Sequence, residues 1–381
     1  MKFLHTSDWH LGMTFRAGIS YADDQRFMIE KLCEIAVNEQ VDGILLAGDI
    51  FDKGISSKEA LQLYNDTMTR ICVDMGIPVY LIAGNHDGAE RISQCSELLK
   101  KSGLYIAGVL EEALQVVHLD KVDIYLLPWI STDKVKSVFW EQADEVHSME
   151  DAYRLVLDKY RTQFIKGHKN ILIAHAFIAN AETSDSDRAA EIGRATMVGS
   201  YVFDGFDYVA LGHLHGPQQI SKSIRYSGTP MAFSFGKEEK QVKSVTIIDT
   251  DTLEQKIVNL PQLHRRVTLT GTYEELMSAD YEEDILSGYV RLEVTDRYVG
   301  MELIAAFRER FQNLLEISGR GLERDDAKIT MTIEEFEQAN KEPESIFTRY
   351  CEDILEEKPD EHLIDLFREA LKRYEEGAVE E

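Results

Sequence analysis

Only four cysteines occur in the 381 residues, Cys33, Cys72, Cys95 and Cys351, and no two form a C-x-x-C pair. That spacing indicates neither a thiolate zinc site nor a disulfide framework, and each reads as a small core residue. No run approaches the roughly 18 consecutive apolar residues of a membrane helix, and the opening MKFLHTSDWHL is too short and too polar for a signal peptide. The expectation is a cytoplasmic protein without membrane contact. Positive charge is also scarce, with 41 Lys+Arg against 68 Asp+Glu and a net charge of −27. Such a chain does not coat nucleic acid with its whole surface.

The deficit is uneven. Residues 271–381 hold 13 Lys+Arg against 31 Asp+Glu, so any contact with a polyanion must be local and lie earlier in the chain. A hydrophobic content of 44% over this length suits two or three domains. Short apolar runs recur at 3–4, 43–47, 79–83, 124–127, 170–174 and 208–211, each followed by a turn-like polar cluster. They read as strands buried on both faces, alternating early in the chain with helix-period stretches, which indicates a layered α/β core. Runs around 223–226 and 244–248 have hairpin-like spacing and could close the sheets.

The polar clusters share one feature. Nearly every strand ends in a residue type that binds metal: Asp8 and His10 in SDWHLG, Asp49 in AGDIFD, Asn85 and His86 in AGNHDG, His175 in IAHAF, and His213 and His215 in LGHLHG. Ligands at the carboxyl ends of sheet strands fall together in space, in the crevice that open α/β sheets provide. Carboxylate, imidazole and amide oxygen suit manganese or iron. Gly48, Gly84 and Gly212, each just before a candidate ligand, let the backbone turn sharply there. Any one element is an ordinary strand end or tight turn. The ordered set D-x-H, G-D-x-x-D, G-N-H-D, H and G-H-x-H is not.

That set resembles the calcineurin-like metallophosphoesterase superfamily. The resemblance implies two divalent metals, Asp8, His10, Asp49 and His215 holding one, and Asp49, Asn85, His175 and His213 the other. His86 would not be a ligand but would face the scissile phosphate and stabilise or protonate the leaving oxygen. Asp49 is also the natural bridge on chemical grounds, since a carboxylate has two oxygens where an imidazole offers one nitrogen to one metal. Asp87, beside His86, is a supporting acceptor that would fix its tautomer, and Asp52 is a second supporting residue.

SDWHLG, AETSDSDR at 181–188, DYVALGHLHGPQ at 207–218 and RYSGTPMAFSF at 225–235 together resemble the SbcD family of bacterial DNA-repair exonucleases. One departure is Asp52, where archaeal relatives often carry a histidine. The resemblance implies a manganese-dependent nuclease acting on DNA ends and hairpins, a homodimer within a heterotetramer completed by an SbcC-type coiled-coil ATPase. It further implies three parts: a metallophosphoesterase domain over 1–262, a small α/β capping domain over 263–330, and a C-terminal helical partner-binding region over 331–381. The cap reads as β-α-β-α-β, with strands at 266–269, 289–294 and 314–317 and its better helix at 302–310. In the tail, two amphipathic helix patterns flank Lys358-Pro359, and Ile346, Phe347, Tyr350, Leu363, Phe367 and Leu371 are candidate partner contacts. Arg16, Lys53, Arg91, Arg188 and Lys237 are the candidate DNA contacts, being cations close in sequence to the motifs. The competing readings are a solitary phosphoesterase of small phosphodiesters or nucleotides and a non-catalytic scaffold. A complete ligand set disfavours the scaffold, and the helical tail disfavours the solitary enzyme.

Overall fold

A computed structural model describes residues 1–14, 20–184, 186–187, 197–320, 328–332, 344, 347–348 and 363–368. They divide into two compact units, with the seam between Val267 and Thr268. It lies beyond residue 262 because Arg266 still belongs to the first unit. Its guanidinium lies over the rings of Tyr21 and Phe235, and its Nε donates to the Ala232 carbonyl at 2.7 Å.

In the first unit, one six-stranded sheet runs in the order β14 (Gln255–Asn259), β13 (Ser244–Asp249), β1 (Lys2–Thr6), β2 (Gly43–Ala47), β3 (Val79–Ile82) and β4 (Leu104–Ala107). A second is ordered β11 (Gln218–Gln219), β12 (Ile224–Tyr226), β10 (Tyr208–Gly212), β7 (Lys169–His175), β6 (Val122–Leu127) and β5 (Val117–His118), and among the described residues β8 (Phe177–Ile178) pairs with β9 (Met197–Val198) alone. The inner strands of both are parallel, β1 to β4 in one and β6, β7, β10 and β12 in the other. Leu45 and Ala47 of the first sheet and Ile171, Ile173 and Val209 of the second share one buried cluster, so the sheets pack on each other. Burial on both faces is why these strands read as continuous apolar runs. The parallel direction of these strands brings their carboxyl ends to one edge.

Two runs behave differently from their hairpin-like spacing. β12 lies parallel to β10 in one sheet, whereas β13 pairs antiparallel with β1 in the other. The stretch between them is no turn. It is a long connection whose buried Ser227, Thr229, Phe233 and Glu238 face the functional edge. Elements outside the expected set include β4, β14 and the helix Met149–Arg161, whose first turn is capped by the Ser148 hydroxyl accepting from Asp151 N–H at 3.1 Å. His5 sits in the core between the sheets. Tyr208 Oη lies 2.8 Å from its Nδ1 and the Leu211 carbonyl 3.1 Å from its Nε2. Burial lowers its pKa to about 3, so it stays neutral.

The second unit contains a four-stranded sheet of β15 (Arg266–Gly271), β16 (Tyr289–Val294), β17 (Asn313–Arg320) and β18 (Lys328–Thr332), β15 starting in the first unit. β16 and β17 are parallel, and the helix Met301–Arg310 crosses between them. Ile304 and Phe307 of that helix pack with Val290, Leu292, Leu314 and Ile317. In the tail, the Phe347 and Phe367 rings stack at 4.3 Å, and Arg368 donates to Glu344 at 2.5 and 2.8 Å. Ile346, Tyr350 and Leu371 lie outside the described residues. Among those described, no helix is long and apolar enough to cross a membrane.

Candidate metal centre

The first ladder continues past its strands. Asp8 N–H donates to the Gly48 carbonyl at 3.0 Å, His10 N–H to that of Asp49 at 3.0 Å and Leu11 N–H to that of Ile50 at 2.8 Å, so the D-x-H and G-D segments run side by side. Their backbone is strained. Asp8, His10 and Asp49 take φ of 54°, 44° and 51°, and His213 takes 106°. Such conformations cost about 1–3 kcal/mol each for non-glycine residues, and persist where surrounding contacts over-determine them. Here they turn four polar side chains toward one point. Close approach also requires glycine: a Cβ on Gly84 would lie 2.1 Å from Asp49 Oδ1, and one on Gly212 1.9 Å from the Ala47 carbonyl.

Seven predicted ligands converge. Asn85 Oδ1 lies 2.8 Å from His175 Nε2 and 3.0 Å from His213 Nδ1, and His175 Nε2 lies 3.3 Å from Asp49 Oδ2. On the other side, His10 Nε2 is 3.1 Å from His215 Nε2 and 3.9 Å from Asp49 Oδ2. Donor atoms of Asp8, His10 and His215 gather in one group, and those of Asp8, Asp49 and His175 in another. Asp8 is common to both groups, and Asp49 Oδ2 faces His10 at 3.9 Å on one side and His175 at 3.3 Å on the other. Cis ligands on a divalent ion with bonds of about 2.1 Å are about 3 Å apart, the spacing found here.

Proton bookkeeping supports the fit. His175 Nδ1 donates to the Ala47 carbonyl at 2.9 Å, which in a neutral ring leaves Nε2 as a lone pair facing Asn85 Oδ1 and Asp49 Oδ2. Three acceptors then meet with no proton between them unless a cation enters. Without one the ring must itself be charged: burial opposes this, but Asp49 outweighs it and raises His175 to about 9. His10 Nδ1 is buried with no hydrogen-bond partner. Burial would raise Asp49, yet His175, His10 and His86 hold it well below the carboxylate range, whereas burial pushes Asp8 up to about 6. For His213, burial lowers the value to about 3, so the ring is neutral, as a ligand must be.

His86 forms a third such group with His10 and Asp49. Its Nδ1 donates to the Asp52 carbonyl at 2.9 Å, its backbone N–H donates to Asp49 Oδ1 at 2.9 Å, and its Nε2 lies 4.0 Å from Asp49 Oδ2. The acceptor that fixes its tautomer is therefore main chain, and the expectation that Asp87 plays this part is corrected. The Asp87 carboxylate is occupied by the N–H groups of Ile50, Phe51 and Gly84, at 3.2, 2.9 and 2.8 Å, and so ties the two turns together. Asp52 contributes through its carbonyl.

Several contributors were not anticipated. Trp129 stacks on His213 with ring centroids 5.4 Å apart. Tyr153 and Tyr226 donate to the carbonyls of His175 and Ala176 at 2.8 and 2.6 Å, holding the backbone around that histidine. Behind His215 lie Ser186, Asp187, Glu238 and Lys243. Asp187 accepts from His215 N–H at 3.0 Å, and Glu238 accepts from Phe233 N–H at 2.6 Å. Burial would raise Glu238, but Lys243 at 3.6 Å and His215 outweigh it and keep it ionised. Of the candidate DNA contacts, Lys53 is well exposed, Arg91 donates to the Gly54 carbonyl at 2.9 Å and Lys237 to that of Thr183 at 3.0 Å. Arg16 and Arg188 lie outside the described residues.

Against known proteins, the family model for calcineurin-like phosphoesterases matches residues 1–217. The chain belongs to that family. It is 31% identical over 322 residues to the D subunit of the SbcCD nuclease of Staphylococcus epidermidis, covering 84% of this chain and 85% of the relative. The protein of the same name from Staphylococcus saprophyticus is 33% identical over 298 residues, 77% of this chain and 78% of that one. Within the phosphoesterases the chain is thus a member of the SbcD family, and a metal-dependent phosphodiesterase. Among solved structures, TT1561 of Thermus thermophilus is 12% identical, covering 68% of this chain and 99% of that one, with a TM-score of 0.40, a fit too loose for comparing sites.

Proposed function

We propose that the chain is the nuclease component of an SbcCD-type complex, cleaving phosphodiester bonds at DNA ends and hairpins with two manganese ions. Its actions would be 3′-to-5′ exonuclease on duplex and endonuclease on hairpins and single strands. The observation that carries the proposal is the meeting of seven donors about Asp49, with His86 at their side. Asp8, His10, Asp49 and His215 would hold one ion and Asp49, Asn85, His175 and His213 the other, a set of oxygen and imidazole donors that suits manganese. When bound, such a pair supplies a water-derived nucleophile at neutral pH and neutralises charge on the phosphoryl oxygens. The protein's part is orientation. His86, with Nδ1–H held by the Asp52 carbonyl, presents Nε2 on the Asp49 side, where as the imidazolium it would give its Nε2 proton to the departing oxygen and be left as the neutral Nδ1–H ring.

The overall charge of −27 repels DNA at long range, so binding relies on local cations such as Lys53, Arg91 and Lys237 and on a partner. An SbcC-type coiled-coil ATPase is that partner, docking on the tail around Phe347, Leu363 and Phe367, with the nuclease chain as a homodimer within a heterotetramer. The test is cleavage of linear duplex and of hairpin DNA with manganese, with and without the ATPase. Turnover of a small phosphodiester such as bis-p-nitrophenyl phosphate without any DNA cleavage, alone or with the partner, would sink the proposal.

A further inference from the structure

Behind His215, away from the ligand cluster, lies a pair of charges that the reaction does not use directly. Glu238 and Lys243 are 1% and 2% exposed, in a connection whose sequence, GKEEKQVK, reads as surface. Lys243 Nζ lies 3.6 Å from Glu238 Oε2 and donates to the His215 carbonyl at 3.4 Å. Glu238 Oε2 accepts from the N–H groups of Phe233 and Ser234 at 2.6 and 3.3 Å. Its Oε1 accepts from the Ser184 hydroxyl at 3.1 Å and from the Ser186 hydroxyl, and lies 3.5 Å from His215 Nδ1. Ser186 Oγ is also in hydrogen-bond contact with His215 Nδ1.

We propose that Glu238 is the positioning residue that sets the tautomer of His215 and so makes its Nε2 a ligand. The inference rests on the reading of His215 as a metal ligand. An ionised carboxylate can only accept, so Ser186 must donate its hydroxyl proton to Glu238. The Ser186 oxygen is then left to accept, and the proton it accepts is the one on His215 Nδ1. That places the lone pair on Nε2, the nitrogen 3.1 Å from His10 Nε2. Lys243 stabilises the arrangement by pairing the buried carboxylate, and by holding the His215 carbonyl it fixes the backbone of the same residue. His175 obtains its tautomer from a main-chain carbonyl; His215 depends on side chains.

Gln at position 238 removes the constraint, because its amide can donate as well as accept and the chain of hydrogen bonds can run either way. Titration of the metal-free full chain with Mn2+ by calorimetry is expected to show two ions for the wild type. In Glu238→Gln one ion should keep its affinity and the other weaken by roughly 10- to 100-fold, the range for lost support of a ligating histidine. Because that variant leaves Lys243 buried and unpaired, Glu238→Gln/Lys243→Met is made in parallel. It removes both charges, should melt at or above the single variant's temperature, and should still lose one ion selectively. Two wild-type affinities in either folded variant, or equal weakening of both ions, would overturn the proposal. If the wild type itself binds no Mn2+, the metal reading of the whole site fails first and the role of Glu238 falls with it.

Discussion

The edge that carries the metal centre and the C-terminal tail break opposite rules of burial. At the edge, Asp8, Asp49, His175 and Glu238 are polar and no more than 2% exposed; in the tail, Leu363 and Leu366 are apolar and 36% and 49% exposed. Burying a charged or polar side chain is costly without a partner, and at the edge most of that cost is offset by hydrogen bonds, opposite charges and convergence on a cation. Exposed leucines on an amphipathic stripe instead leave apolar area for another surface. A buried polar cluster therefore speaks for chemistry, and an exposed apolar stripe for association.

The largest effect that would test the contrast is at Asp49. Asp49→Ala should lose bound metal and activity together with the fold intact, since Asp49 faces His10 on one side and His175 on the other. Near wild-type metal content by elemental analysis would remove the bridge. Next comes His86→Ala, which should keep both metals and DNA binding while turnover falls by roughly 10²- to 10⁴-fold, as for loss of a general acid. Metal loss in that variant would make His86 a ligand instead. In the tail, Phe367→Glu with Leu371→Glu should abolish association with the ATPase without lowering the melting temperature. A melting temperature lowered by many degrees would mean that the stripe is core, because glutamates in a core cost several kcal/mol.

The smallest effect concerns His5, which is buried like the histidines of the cluster but holds two sheets together. Its folded pKa of about 3 lies below the unfolded value of about 6.5, so between these the unfolded state binds the extra proton. Stability contributed by neutral His5 is complete above about pH 6.5 and is lost as pH falls, by at most about 1.4 kcal/mol per pH unit. Urea unfolding of the metal-free protein from pH 7 to 4 should show a shallower acid loss in His5→Gln than in the wild type. Parallel curves would show that His5 is protonated without penalty.

Much of this was open to reading in one dimension. The strands at 43–47, 79–82, 122–127, 169–175 and 208–212 announce themselves as apolar runs because sheets covered on both faces need them, and the donors follow each run because the chain turns there. The seven donors and His86 are visible for that reason, and so are the three strands and main helix of the second unit. β4 and β14 escaped notice because their runs are short or half polar, and the inward turn of Glu238 and Lys243 because the stretch around them has no period.

What the sequence determined by itself was the residue inventory of the site and the order in which strands deliver it, since both follow from local patterns of apolar runs and turns. Only the tertiary structure decided which side chains support that site. In Lys237-Glu238-Glu239-Lys240 two neighbouring glutamates look alike, yet Glu238 turns inward to Lys243 and His215. Asp87 adjoins His86 in sequence and Asp52 stands in a different motif, yet it is the Asp52 main-chain carbonyl that holds the ring. Such choices depend on contacts between segments tens to hundreds of residues apart, and no local spacing encodes which carboxylate or carbonyl will arrive beside a given nitrogen.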